Sequence, residues 1–391
     1  MRKKAVIKVG IDTIAFYTSQ YFLALSQLAA ARGVDPNKYA VGLGQHYMAV
    51  PPPDEDIVTM AAHAANRALR AVDVNTIEML LFATESGIDQ SKAAGIYVHG
   101  LLGLSERCRV VELKQACYSA TIALQLALTF LRQHPDKKVL LIASDNARYG
   151  LNTPGEPSQG CGAVAMVLSA NPRILALDPE YGVVTESVMD FWRPNYSDSA
   201  FVDGKYSSKL YLNMLEKTWQ QYRTLSGRDF TDHQYFCYHS PVSRLVEKAH
   251  QYLAKLNQCE AQPEHIHYSL EYARQIGNSY AASLYIGLTA LLDTQPDDLA
   301  GKRVGFYSYG SGCVAEYFSG VIQPGYREGL DTEAHQDMLA QRASLSCAEY
   351  EDFYSFKYPQ DGSYCKIPSY RTGQFRLAAI QDHKRIYERT P

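Results

Sequence analysis

Four short segments run apolar almost from end to end, without the alternation of a half-exposed strand: Ile77–Thr84, Lys138–Ser144, Gly162–Ser169 and Arg303–Tyr309. Strands of this kind are covered on both faces, and helices are the usual cover. Helical spacing does recur between them. Tyr21–Arg32 carries Phe22, Leu25, Leu28 and Ala29 before Gly33, and residues 56–72 carry Ile57, Met60, Ala61, Ala64 and Leu69. The same reading predicts strands over 5–14 and 108–113, a helix near 90–102 and a long helix from Tyr118 to about Gln133. Beyond a break at Asn171–Pro172, a polar, aromatic stretch at 190–207 reads as an ordered loop or cap. Helices are then expected over 208–226, over 241–256 with Pro241 in the first turn, and over 280–292; strands are expected at 235–239 and Cys313–Phe318. The class is therefore α/β, in two halves of similar character, 1–171 and 172–391, with a cap region near 190–230.

Composition removes several function classes. A chain of 391 residues, 46% hydrophobic, buries a large core and is neither disordered nor disulfide-stapled. Lys and Arg total 38 against 41 Asp and Glu, a formal charge of −3, which does not suit a nucleic-acid binder. Met1–Lys4 is basic, but the residues after it alternate, so no secretory signal is expected; no window of 18 uninterrupted apolar residues suggests a membrane span. The eight cysteines form no C-x-x-C pair and no zinc spacing, which predicts a reducing, cytoplasmic setting and no metal. The 29 tyrosines outnumber the 13 phenylalanines, and buried hydroxyls need partners, so a polar cleft or a broad subunit interface is expected.

Cys117 follows the strand around 108–113 and opens a helix. Helix N-termini present unpaired N–H groups and positive dipole, which favour a thiolate; the alternative is a small core cysteine. For Cys108, Cys161 and Cys313, on strand-like segments, the core reading is preferred. His239 closes the strand at 235–239, on the rim where α/β sheets gather active sites, and pairs naturally with Cys117 as an acid/base partner. Asn278 precedes a helix and by itself reads as an ordinary N-cap ahead of a ligand group. Glu85 follows a fully covered strand, where desolvation would raise its pKa and suit it to proton transfer; a solvated loop carboxylate is the alternative. The turn Gly310-Ser311-Gly312 either aims N–H groups at an oxyanion or is a plain tight turn.

Eight ordered segments carry a resemblance that spans most of the chain: Val34–Tyr39, Ala83–Ser86, Lys114–Tyr118, Ala147–Asn152, Gly155–Gly160, Asp190–Pro194, Gly277–Tyr280 and Ser308–Gly312. In these the chain resembles the bacterial 3-hydroxy-3-methylglutaryl-CoA synthases of the thiolase superfamily. The resemblance implies a thiolase-like fold of five layers (α-β-α-β-α), a homodimer, and condensation of acetyl-CoA with acetoacetyl-CoA in the mevalonate route to isoprenoids, with no cofactor beyond these substrates. It implies Cys117 as the acetylated nucleophile, Glu85 as general acid/base and His239 as the group that engages acetoacetyl-CoA. Asn278 would help hold that substrate, and Ser311 would lend an oxyanion N–H beside that of Cys117. Tyr149, Asp145 and Asp190 match supporting positions of the pocket, and Ser158 falls near the pantetheine contacts, where Thr is common in the family. Tyr280-Ala281-Ala282-Ser283 departs from the family's Tyr-Thr-Gly-Ser. Arg244 and Lys248, on the helix after His239, are candidates for the CoA phosphates, or else part of a solvated face.

Two rivals share the superfamily: a β-ketoacyl synthase with a Cys117-His239-Asn278 triad, which would not need Glu85, and a polyketide β-branching synthase that takes acyl groups from carrier proteins. A non-catalytic acyl-CoA-binding protein is a third reading, disfavoured by the joint presence of thiol, imidazole and carboxylate.

Overall fold

The computed structural model describes residues 7–390, so Met1–Lys4 and the start of the strand expected over 5–14 lie outside the described residues. In chain order, the elements that position the site begin with β1 (Val9–Tyr17), α1 (Ile57–Ala68), β2 (Ile77–Ala83), β3 (Arg109–Leu113) and α2 (Ser119–Gln133). Next come β4 (Lys138–Ala147), β5 (Gly160–Ala170), β6 (Leu175–Thr185), α3 (Gly204–Ser226), β7 (Tyr235–Tyr238) and α4 (Ser243–Leu256). The series ends with α5 (Ser283–Thr294), β8 (Arg303–Gly310), β9 (Val314–Ile322) and a hairpin of β10 (Phe375–Gln381) and β11 (Lys384–Arg389).

Nine of the strands make one sheet, in the order β7-β8-β9-β6-β1-β5-β4-β2-β3. The order contains a repeat. From β1, neighbours β5, β4 and β2 follow antiparallel, antiparallel and parallel; from β6, neighbours β9, β8 and β7 follow in the same sense. The halves join where β1 meets β6 at Gly10↔Ala176 and Ile11↔Leu175. Glycine is required there, because a Cβ on Gly10 would stand 1.9 Å from the Leu175 carbonyl oxygen.

Three layers of helices alternate with the two halves of this sheet, five layers in all. α1 covers β1, β4 and β5 on one outside, and α3 covers β6 and β9 on the other, with α4 packed against it. α2 and α5 form the middle layer, where the Thr121 hydroxyl of α2 bonds both Tyr285 of α5 and Ser308 of β8, each at 2.8 Å. α5 is apolar all round and buried from Ser283 to Leu292, as a helix between two sheets must be. Each of its buried Leu and Ile side chains contributes roughly 1.5–3 kcal/mol.

Several expectations needed correction. Tyr21–Ala24 is a short strand paired with Tyr47–Ala49, and the helix begins only at Leu25; the backbone of this stretch is taken up by its strand neighbours. Pro241 lies two residues before its helix starts at Ser243. The long strand β6 was not expected at all. The C-terminal stretch 343–389 does not stay with the half 172–391, because Ala343–Ser344 pair with Tyr21–Phe22, and the hairpin packs on α1. There Arg376 Nε donates to Asp54 Oδ2 at 3.1 Å, and Arg385 and the Tyr387 hydroxyl bond Asp56 Oδ2 at 3.0 and 2.6 Å.

Candidate active site

The repeat explains why the chemical groups converge. Glu85 follows β2 and His239 follows its counterpart β7; Cys117 precedes α2 and Asn278 precedes its counterpart α5. Ends of parallel strands and starts of central helices from both halves therefore share one rim.

The Cys117 turn is strained. Ala116 holds φ at +45°, a left-handed conformation that costs a non-glycine residue about 1–3 kcal/mol. The turn is pressed onto the end of β8, where a Cβ on Gly310 would lie 2.6 Å from Gln115 O and from Tyr118 N. Two side-chain bonds clamp it further: Gln115 Nε2 donates to Ser311 O at 3.2 Å, and the Tyr118 hydroxyl to Glu316 at 2.6 Å. Cys117 and Ser311, from different halves, thus stand on facing turns.

Cys117 Sγ donates to Glu85 Oε2 at 3.2 Å. Burial raises the thiol pKa well above its usual value and the Glu85 charge raises it further; burial and Asp145 likewise raise the Glu85 carboxyl. The pair consequently holds a proton, and the resting sulfur is a thiol. Both causes act against the thiolate that the α2 dipole favours.

Asp145 is buried and organises the carboxylate loop. Its Oδ1 accepts from Thr84 Oγ1 at 2.7 Å, Glu85 N at 2.9 Å and Ser86 N at 3.0 Å, and its Oδ2 accepts from Ala281 N at 2.9 Å. One carboxylate ties the turn after β2 to the turn before α5. Arg193 adds a bond from Nη2 to Glu85 O at 2.6 Å.

Asn278 is held on three sides. Its N–H meets Ser158 O at 3.3 Å, its Oδ1 accepts from Tyr280 N at 2.9 Å, and its Nδ2 donates to the Tyr149 hydroxyl at 3.0 Å. Tyr149, Phe191 and Tyr280 pack edge to face around it, and burial raises the Tyr149 phenol pKa, so it stays protonated. Ser158 uses its own hydroxyl within its turn, donating to Gly155 O at 2.7 Å.

His239 is buried, and its pKa is lowered to about 3 by burial, which leaves the ring neutral. Its Nδ1 lies 2.7 Å from Ser283 Oγ. Asp190 bolts the 310–312 turn to the cap: Oδ1 accepts from Gly312 N at 2.9 Å, and Oδ2 from the Tyr309 hydroxyl at 2.6 Å and Ser207 Oγ at 3.0 Å. Arg244 is exposed and paired with Glu247 at 2.6 Å, and Lys248 is exposed nearby.

A cavity of about 710 Å³ opens beside Glu85 and Ala116, with Trp192 and Ser311 in its wall and the cations Lys92, Lys114 and Arg193 around it. Among the described residues, no group of three or more His, Cys, Asp or Glu could hold a metal ion. Thr84, Ser86, Gln115, Arg193 and Ser283 were not singled out from sequence; all but Ser283 lie inside segments that carry the resemblance, and Ser283 is an ordinary hydroxyl residue until folded.

Comparison with known proteins agrees in breadth. Residues 6–173 match the family model for the hydroxymethylglutaryl-coenzyme A synthase N terminal region, and residues 177–265 and 255–385 that for the C terminal region. The hydroxymethylglutaryl-CoA synthase of Enterococcus faecalis is 44% identical over 352 residues, covering 89% of this chain and 91% of that one. The polyketide biosynthesis 3-hydroxy-3-methylglutaryl-ACP synthase of Bacillus subtilis is 34% identical over 371 residues, 88% of either chain. A crystal structure of HMG-CoA synthase complexed with CoA superposes with a TM-score of 0.94 at 42% identity, over 98% of this chain and 100% of that one. With the two family models matching residues 6–173 and 177–385 and the fold shared at that level, this chain belongs to the hydroxymethylglutaryl-CoA synthase family.

Proposed function

We propose that the protein condenses acetyl-CoA with acetoacetyl-CoA and water to give 3-hydroxy-3-methylglutaryl-CoA and CoA, serving the mevalonate route. The contact between Cys117 Sγ and Glu85 Oε2 carries the reading, because it sets a nucleophile and a proton carrier together. In the first stage the thiol proton passes to Glu85, the sulfur attacks the acetyl thioester, and the departing CoA thiolate takes that proton. In the second, Glu85 removes a proton from the acetyl methyl while N–H groups of Cys117 and Ser311 hold the enolate oxygen, each worth about 3–4 kcal/mol. The carbanion adds to the ketone of acetoacetyl-CoA, oriented by Asn278 with Tyr149; the new tertiary oxygen, hydrogen-bonded by neutral His239, takes up the proton that Glu85 removed from the methyl, which leaves Glu85 a carboxylate again. Water then cleaves the Cys117 thioester, its proton passing through Glu85 to the departing sulfur, which restores the thiol.

Asp145 and Asp190 act as positioning groups, and Ser158 and Arg244 contribute to the CoA site, Arg244 by exchanging Glu247 for a phosphate. The thioesters supply the activation, so the reaction needs no cofactor. CoA donors are favoured over carrier proteins by the 44% identity to the Enterococcus faecalis enzyme against 34% to the polyketide one. Glu85, bonded to the nucleophile, speaks against a β-ketoacyl synthase. We also propose a cytoplasmic homodimer. Eight free cysteines suit a reducing compartment, and no described helix is long and apolar enough to cross a membrane. β3 is an open sheet edge with Val111 48% exposed, which a second copy would cover.

The test is mass spectrometry after incubation with acetyl-CoA alone. Wild type carries an acetyl group that Cys117→Ser lacks; Glu85→Ala, without the acceptor for the thiol proton, still acquires it but more slowly, and gives no condensed product with acetoacetyl-CoA. Acetylation of Cys117→Ser, or normal product from Glu85→Ala, would overturn the assignment.

A further inference from the structure

The residue that faces His239 from α5 is Ser283, buried at 4% exposure. Its Oγ accepts a hydrogen bond from Ser240 N at 3.2 Å and lies 2.7 Å from His239 Nδ1. Among the described residues the hydroxyl has no other acceptor, so its proton has one place to go. If Nδ1 carried the ring proton instead, the serine proton would be buried without a partner, at a cost of about 1–3 kcal/mol. The other ring nitrogen, Nε2, bonds no described residue. The backbone that carries the ring is fixed as well, with His239 N donating to Tyr307 O at 2.8 Å and the Tyr211 hydroxyl to His239 O at 2.7 Å.

We propose that Ser283 is a positioning residue that fixes the tautomer of neutral His239, donating to Nδ1 so that Nε2–H points at the ketone oxygen of the second substrate. This rests on the condensation reading above. A neutral imidazole is a serviceable donor to a carbonyl whose oxygen becomes an alkoxide, provided its proton sits on the correct nitrogen. The same six residues, 278–283, then anchor three groups: Asn278 itself, Asp145 through Ala281 N, and His239 through Ser283. Only the condensing stage depends on the His239 tautomer, since acetylation of Cys117 uses Glu85.

The test pairs kinetics with a direct reading of the ring. Ser283→Ala should acetylate Cys117 from acetyl-CoA at the wild-type rate yet condense with acetoacetyl-CoA about 10- to 100-fold more slowly, a part of what a positioned acid supplies; Ser283→Thr, which keeps the hydroxyl, should recover most of the loss. Nitrogen-15 NMR of histidine-labelled wild type, with His239 assigned by comparison with His239→Gln, should show Nδ1 unprotonated and Nε2 protonated, and Ser283→Ala should show a mixture. A wild-type ring protonated at Nδ1, or condensation by Ser283→Ala at the wild-type rate, overturns the proposal. The NMR measurement on wild type decides it even if Ser283→Ala does not fold. Failure of wild type to form 3-hydroxy-3-methylglutaryl-CoA would instead strike the functional reading, so the two failures are distinct.

Discussion

A thiol and a carboxylate 3.2 Å apart hold one proton between them, because two adjacent negative charges repel. The proton shared by Cys117 and Glu85 is thus the currency of the reaction, moved in turn to CoA, from the methyl and from water. The sign of the coupling can be checked. Glu85 in its charged form raises the thiol pKa, so Glu85→Ala should shift the pH midpoint of Cys117 alkylation by iodoacetamide downward. A midpoint that stays put or rises would show that the two groups do not interact. The residue types were readable from sequence, but not this state. Glu85 and Cys117 stand 32 positions apart, and helix-dipole reasoning about Cys117 alone predicts the opposite protonation.

At the scale of elements, the strained turns before α2 and α5 are held in place by side chains from distant segments, and the same device seats the C-terminal hairpin. Asp56 caps α1, accepting from Val58 and Thr59 N–H groups, while Asp54 and Asp56 receive Arg376, Arg385 and Tyr387 of the hairpin. Arg376 is buried, so Arg376→Ala leaves the Asp54 carboxylate without its cation and should lower stability by about 3–5 kcal/mol in urea denaturation. A loss below about 1 kcal/mol would mean that the hairpin is held by its apolar contacts instead. The apolar strands β2, β4, β5 and β8 were legible because both faces of each are covered. β6 was not: Asp178, Pro179, Glu180 and Tyr181 interrupt it, and only its pairing with β9 and its short contact with β1 make it a strand. Tyr21–Ala24 misled for a related reason, since its apolar residues fit a helix or a strand equally until a partner is present.

For the whole molecule, the open question of assembly falls on β3. Its outer edge has no neighbour among the described residues, and the cavity beside Glu85 shares Val110 and Val111 with it. Two copies related by a two-fold axis would pair this edge and narrow the cavity mouth together. Val111→Glu would set like charges near each other across such an edge, so sedimentation velocity should report a dimer for wild type and a monomer for the variant. A dimer of unchanged affinity would move the interface elsewhere.

The placing of residues 343–389 on the first half has a bearing on how the chain is made. Strand β1 is made some 160 residues before its neighbour β6, and the segments that cover Tyr21, Asp54 and Asp56 follow later still. At the usual pace of synthesis, the apolar surface of the first half waits on the order of ten to forty seconds for its own closing piece. Until that piece arrives, Asp54 and Asp56 lack the arginines and the tyrosine that pair them in the finished fold.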